Sequence, residues 1–172
     1  MLPLETSCKQ KEESITRMME QYGPSLIRTC FLYLKDAQLA EDAAQETFLK
    51  AYRNLDRFRG ECSEKTWLMR IAMNTCHDIR RNSWFRFVDR RVAVADKAAS
   101  EEPEFIRDST VTQAVMNLSA KYREVILLRY YQQMTTSEIA HTLSTSFNTI
   151  KSRLLRARRL LSDELKGWYF DE

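Results

Sequence analysis

Glycine and proline are scarce in this chain, three of each in 172 residues. That shortage removes the punctuation a turn-rich β architecture needs. No stretch shows sustained period-two alternation either, and Ala, Leu, Arg and Glu recur, so the composition predicts an all-α fold. No apolar run approaches membrane-spanning length and the N-terminus carries no apolar signal core. The expectation is a cytoplasmic chain without direct membrane insertion. The four cysteines, Cys8, Cys30, Cys62 and Cys76, are widely spaced and form no CxxC pair. Cys76 beside His77 is poor geometry for shared chelation on a helix, so reduced, mostly buried thiols are expected, with no metal and no cofactor.

Acid is missing from one place in particular. The segment FNTIKSRLLRARRLL, residues 147–161, holds Lys151, Arg153, Arg156, Arg158 and Arg159 and no Asp or Glu. The chain as a whole carries a formal charge of only +3. Residues 1–83 have 13 Lys/Arg against 12 Asp/Glu, residues 84–109 have 5 against 6, and residues 110–172 have 9 against 6. The basic excess therefore belongs to the last third.

Length suits one ordinary domain or two small ones. Four helices are predicted before residue 84. The first runs from about Glu12 to Gln21 and is ended by Gly23-Pro24; the second starts near Pro24 and continues through LIRTCFLYLK. Asp36 caps a third, with the stripe Ala40, Ala44, Phe48, Ala51 and Leu55. The loop DRFRGECS follows, and Ser63 caps a fourth helix whose inner face is Leu68, Ile71, Ala72, Thr75 and Ile79. Residues 84–108 lose periodicity, end in an acidic run with Pro103, and read as an interdomain linker. Two short helices follow, one near Val111–Asn117 and one from Ser119. Thr135 and Glu138 then have capping-box spacing, which starts a short helix buried on Ile139, Ala140 and Leu143. Ser144-Thr145 is a turn, Ser146 caps the next helix, and Ile150, Leu154, Ala157 and Leu161 form its stripe. This is the helix-turn-helix pattern.

With Ile150 inward, Asn148, Ser152, Leu155 and Arg159 point outward, flanked by Lys151 and Arg156. Polar groups near the N-terminal end suit base edges in a major groove, and arginines further along suit phosphates. A solvated charged face is the plain alternative, but five cations without an acid weigh against it. A membrane-surface helix ranks lower, since it needs neither the preceding capped helix nor the turn.

The blocks DAAQETFLKAYRNLDRFRG, KTWLMRIAMNTCHDIRRN and TSEIAHTL…NTIKSRLLRARRLL, taken together, resemble the extracytoplasmic-function sigma factors of the bacterial sigma-70 family. The resemblance runs from about Ile15 to Leu161. It implies a sigma-2 domain over residues 12–83, a linker over 84–108 and a sigma-4 helix-turn-helix domain over 109–166. It implies binding to core RNA polymerase and promoter DNA, both duplex and single-stranded, and no enzymatic activity. A cognate anti-sigma factor, often membrane-anchored in this family, is a further implied partner. Asp42, Gln45, Glu46 and Leu49 would dock a coiled coil of the polymerase. Phe58, Arg59, Arg70, Asn74, His77, Arg80 and Arg81 would take the minus-ten element as single strand, with the loop 58–63 and Asn74 forming a pocket for an extruded base. Trp67 reads first as core packing and second as a base contact. Ser146, Asn148, Thr149, Lys151, Ser152, Arg153, Leu155, Arg156 and Arg159 would read the minus-thirty-five duplex. Four departures stand out: Ser144 where Gly is usual, Thr145 for an aliphatic, Asn148 for Gly, and Met73 for a frequent Arg that would touch backbone. A helix-turn-helix regulator acting on duplex DNA without polymerase is the competing reading; it needs neither the acidic face nor the single-strand surface.

Overall fold

The computed structural model describes residues 3–89 and 110–169, with side chains over 9–82 and 110–166. Among these residues the chain is helical and has no strand. Helix α1 (Pro3–Leu34) packs against α2 (Ala37–Asn54) and α3 (Glu64–Asp89), forming the first bundle. The second bundle is α4 (Thr110–Asn117), α5 (Ala120–Ile126), α6 (Thr136–Thr142) and α7 (Phe147–Tyr169).

The expected break at Gly23-Pro24 is not there. Pro24 lies inside the continuous α1. Gly23 lacks the Cβ that would clash with the proline ring, so it keeps helical torsions. Ser25 Oγ donates to the Tyr22 carbonyl (3.1 Å). An interior proline costs about 3 kcal/mol, and the burial of Met18, Leu26, Cys30 and Tyr33 on both sides of it outweighs that. Among the described residues three α-helices, not four, therefore begin before residue 84.

The caps follow the local chemistry. Lys35 takes a left-handed φ of 60° to close α1. Asp36 accepts from the Leu39 N–H (3.0 Å) to open α2, and Ser63 Oγ accepts from the Thr66 N–H (3.1 Å) to open α3. The α3 helix runs on to Asp89, so the first residues after the basic pair Arg80-Arg81 are helical rather than aperiodic. The acidic, Pro103-containing run lies outside the described residues.

In the second bundle α5 continues into one π-helical turn, Leu127–Tyr131, closed by the Gln132 N–H on the Leu127 carbonyl. Thr135 and Glu138 make a complete capping box for α6. The helix then ends in a Schellman motif: Thr145 N–H reaches the Ala140 carbonyl (3.0 Å) and Ser144 N–H the His141 carbonyl (3.3 Å). Ser144 sits at φ 50°, the position glycine favours.

The two bundles touch. Helix α3 lies along α6, and α1 against the π turn, α4 and α5. This explains why α3 is buried on more than one side: Met69, Met73 and Cys76 are inside along with Leu68, Ala72 and Thr75, while Ile71 and Ile79 are only half-buried.

Candidate polymerase and nucleic-acid interfaces

On α2 the buried set Ala40, Ala43, Ala44, Thr47, Phe48 and Ala51 faces the first bundle. Asp42 and Gln45 lie on the exposed side, Glu46 is half-exposed, and Leu49 is 50% exposed. Glu46 is loosely tied to Lys50 (3.8 Å) within the same helix. The result is an acidic face with one apolar residue standing out of it, which fits a basic, partly apolar helical partner.

The loop after α2 turns at Gly60 (φ 71°) and borders a cavity of about 560 Å³. Phe58, Arg59, Trp67 and Arg70 line it, and so does His141 from α6. Phe58 stacks on Trp67 with ring centroids 4.9 Å apart. Trp67 is thus packed against an aromatic neighbour and still borders the cavity. A pocket with an aromatic floor and a guanidinium at its rim can take one flat, polar heterocycle.

The minus-ten candidates on α3 are differently placed. Asn74 is exposed. Arg80 lies over the Tyr33 ring (5.6 Å) and Arg81 pairs with Asp78 (2.9 Å). Arg70 and His77 face the second bundle. Arg70 donates to Ser144 Oγ (3.3 Å) and lies 3.5 Å from His141 Nε2. His77 Nε2 is 2.8 Å from Glu124 Oε2. Met73, expected to stand in for a backbone-contacting arginine, is 1% exposed and belongs to the core.

On α7, Ser146 Oγ accepts from the Thr149 N–H (3.1 Å) and meets the Thr149 hydroxyl (2.8 Å), so both are engaged in the cap. Ser152 Oγ donates to the Thr149 carbonyl (2.9 Å). Asn148, Lys151, Ser152, Leu155, Arg156 and Arg159 are exposed opposite the stripe Ile150, Leu154, Ala157. The expectation of five unpaired cations needs correction. Arg153 donates to Glu124 Oε1 (3.1 Å), because its place on the wheel turns it toward α5. Arg158 donates to Tyr130 Oη (2.8 Å). Lys151, Arg156 and Arg159 remain without a partner among the described residues.

The seam between the bundles carries polar contacts beside its apolar packing, and sequence reasoning missed them. Glu124, 6% exposed, holds His77 from α3 and Arg153 from α7 together. Gln132, delivered by the π turn, donates to Thr29 Oγ1 (2.7 Å) and the Ser25 carbonyl (3.0 Å) of α1. Its own carbonyl accepts from Lys65 of α3. Thr66 Oγ1 donates to Glu138 Oε1 (3.3 Å). Arg123, 8% exposed, donates to the Tyr33 carbonyl (2.6 Å) at the negative end of α1 and to the Leu118 carbonyl (2.7 Å). Burial lowers the Arg123 pKa and pushes the Tyr33 phenol up to about 12. The one local signal for this seam was the surplus of apolar residues on α3, too many for a helix with a single buried stripe.

Comparison with known proteins adds the family. The sigma-70 region 2 model matches residues 18–86 and the sigma-70 region 4 model matches residues 109–161. The chain is 31% identical to the ECF RNA polymerase sigma factor SigW of Bacillus subtilis, over 92% of each chain. It is 33% identical to the RNA polymerase sigma-H factor of Pseudomonas aeruginosa, over 85% of this chain and 83% of that one. Among solved structures it resembles the sigma factor RpoE of Bartonella quintana, crystallised with the anti-sigma factor NepR. That match has a TM-score of 0.74 and 26% identity, over 93% of this chain and 99% of that one. CnrH, solved in complex with the cytosolic domain of CnrY, shares the fold at a TM-score of 0.68 and 22% identity, over 93% and 95% of the two chains.

Proposed function

The chain belongs to the extracytoplasmic-function sigma factors of the sigma-70 family, and from that premise we propose how its two halves divide the work. It is an initiation factor, not an enzyme: it binds core RNA polymerase and directs it to promoters. The first half, residues 12–83, docks the polymerase through Asp42, Gln45, Glu46 and Leu49 on α2. The same half takes the minus-ten strand along α3, with Asn74, Arg70 and His77 as polar contacts, Arg80 and Arg81 on backbone, and the Phe58–Arg59–Trp67 cavity for one extruded base. The second half, residues 109–166, lays α7 in the minus-thirty-five major groove. Asn148 and Ser152 read base edges and Leu155 offers an apolar contact. Lys151, Arg156 and Arg159 neutralise phosphates, while Ser146 and Thr149 shape the helix start. Arg153 acts through Glu124 rather than on DNA. The working place is the bacterial cytoplasm. A cognate anti-sigma factor is a third partner, supported by the complex in which the RpoE relative was solved.

The observation that carries this reading is the α2 face, where Leu49 stands half out of an acidic surface. A protein that only bound duplex DNA would have no use for it. Its test is co-elution of the purified chain with core RNA polymerase, alongside Glu46→Lys. Wild type should co-elute. The variant should keep its helical content and lose polymerase binding, because the reversed charge sits on an exposed face. A folded Glu46→Lys chain that binds polymerase normally removes the docking assignment. Failure of wild type to co-elute, with salt-sensitive duplex binding retained, would make the protein a plain DNA-binding regulator.

A further inference from the structure

The loop that borders the Phe58–Trp67 cavity has no apolar anchor of its own. No residue between Ala51 and Thr66 is buried, and Asp56, Arg57, Arg59, Gly60 and Glu61 are exposed. Its backbone bonds are local: the Phe58 N–H meets the Leu55 carbonyl (3.0 Å) and the Trp67 N–H meets the Ser63 carbonyl (3.0 Å). Such bonds shape each limb of the loop. They do not set the distance between the limbs, which is the width of the cavity. The Phe58–Trp67 contact does cross between them, with centroids 4.9 Å apart. Aromatic pairs are comfortable over centroid distances of about 4.5–7 Å, so that contact alone leaves the width loose.

Both limbs are tied to α1 instead. On the first limb, Lys11 Nζ pairs with Asp56, two residues before Phe58, and lies 6.0 Å from the centre of the Tyr52 ring. Asp56 itself borders the cavity. On the second limb, Arg17 donates to both carboxylate oxygens of Glu64, at 2.6 and 2.9 Å. Glu64 is the first residue of α3, one turn before Trp67. The hydrogen bonds from Arg17 hold the Glu64 carboxyl below its ordinary pKa, and Glu64 in turn raises that of the guanidinium. Exposed ion pairs ordinarily add little because both side chains are free to swing into water. A two-point guanidinium fork is the geometry that resists this.

Lys11 and Arg17 stand six residues apart on one continuous helix, about 9 Å at roughly 1.5 Å per residue. The helix is a stiff spacer between the two limbs. Both ties also come from the part of α1 that precedes residues 18–86, the stretch matched by the sigma-70 region 2 model.

We propose that Lys11 and Arg17 are positioning residues for the minus-ten pocket: by holding Asp56 and Glu64 at a set separation they hold the cavity to one width, and so set how strictly it discriminates between bases. This rests on the functional reading above and adds to it where the selectivity of the pocket comes from. Freed from α1, the loop accepts a wider range of bases. It does not lose the strand, because Asn74, Arg80 and Arg81 lie further along α3. A recognition site held about 0.5 Å too loosely loses discrimination before it loses binding.

The test uses the full-length chain mixed with core RNA polymerase and a random-sequence single-stranded 20-mer pool, with core enzyme alone as background. Bound strands are sequenced, and the position with the strongest base preference in wild type is followed in the variants. In Lys11→Ala/Arg17→Ala that preference should fall about fivefold, while total strand recovered and affinity for a random-sequence 30-bp duplex pool stay within about twofold. Arg17→Lys keeps the charge without the fork and should fall between wild type and Arg17→Ala. Glu64→Gln, of the same size and shape, should relax the same position. Arg17→Ala/Glu64→Gln should then lose no more than either single variant, because the two residues form one contact. If the double alanine variant does not fold, Arg17→Lys and Glu64→Gln are read on the same pool with the same expectation. Unchanged base preference in folded variants overturns the inference and leaves the sigma reading intact. So does a loss at every sequence for Arg17→Ala, with a flatter salt slope and no effect of Glu64→Gln, which would make Arg17 a backbone contact. A wild-type holoenzyme without base preference overturns it as well. Failure of wild type to co-elute with core polymerase would overturn the functional reading itself, and this inference with it.

Discussion

Helices α3 and α7, the two proposed DNA faces of this molecule, meet solvent in different ways. On α7 the outward cations Lys151, Arg156 and Arg159 have no partner among the described residues. On α3 the corresponding groups are spoken for: Arg70 by Ser144 and His141, His77 by Glu124, Arg81 by Asp78, and Arg80 by the Tyr33 ring. Asn74, Arg80 and Arg81 are nonetheless exposed, while Arg70 and His77 are half-buried. Duplex DNA presents a high, fixed charge density and can be met by a standing cationic surface. A single strand is presented only after melting. On the proposed roles the two helices differ in when their ligand exists, and the seam contacts Arg70 and His77 on one of them only.

The largest expected effect breaks the comparison from the α7 side. Because nothing among the described residues holds Arg156 or Arg159, the double variant Arg156→Ala/Arg159→Ala should lose duplex affinity by about tenfold or more at low salt. Its log-affinity against log-salt slope should flatten by about one for each cation removed. Arg81→Ala, which only breaks a pair with Asp78, should leave the duplex slope where it was. Equal slopes for wild type and the α7 double variant would remove α7 from the phosphate contacts.

The second effect is conditional, and it sharpens the comparison. Asn74 is exposed but surrounded by occupied neighbours. In the wild-type chain, Asn74→Ala should change single-strand affinity by less than about twofold. In a His141→Ala/Ser144→Gly background, which releases Arg70 from the second bundle, the same change should cost about fivefold, the equivalent of one hydrogen bond of about 1 kcal/mol. Equal losses in both backgrounds would mean that these contacts of Arg70 have no bearing on strand binding at α3.

What the sequence made legible follows the range of the forces involved. Asp36, Ser63, Thr135 and Ser146 were readable as caps because a cap and its amide lie within three residues. The α7 stripe and its outward face were readable because helical period alone fixes them. The acidic face of α2 was readable for the same reason. Pro24 was misread because the rule for prolines is local, whereas the burial of α1 on two partners is not. The burial of Met73 was not readable, because a position matched by resemblance says nothing of which side of α3 is covered. Glu124, Gln132 and Thr29 were not singled out at all. Gln132 and Thr29 are 103 positions apart, and no spacing rule connects a buried amide to a partner that distant.

The smallest effect concerns pH and joins the two faces through one carboxylate. Glu138 accepts from the Thr135 backbone N–H (2.8 Å) and hydroxyl (2.8 Å), and its other oxygen takes the Thr66 hydroxyl across the seam. The Thr135 backbone bond, then the Thr135 hydroxyl, hold its pKa below the ordinary 4.5. The folded chain therefore binds the proton less readily than the unfolded chain, and the ionised carboxylate adds stability above pH 4.5. That contribution fades as pH falls through the depressed value. Glu138→Gln keeps an acceptor but cannot ionise. Between pH 6 and about 3 its melting temperature should fall less steeply than that of wild type, and the two should converge at the acid end. Acid should also loosen α6 from α3, so the wild-type radius of gyration should rise over the same interval while that of Glu138→Gln changes less. Parallel melting curves across the whole range would mean that this carboxylate adds nothing to the cap or the seam.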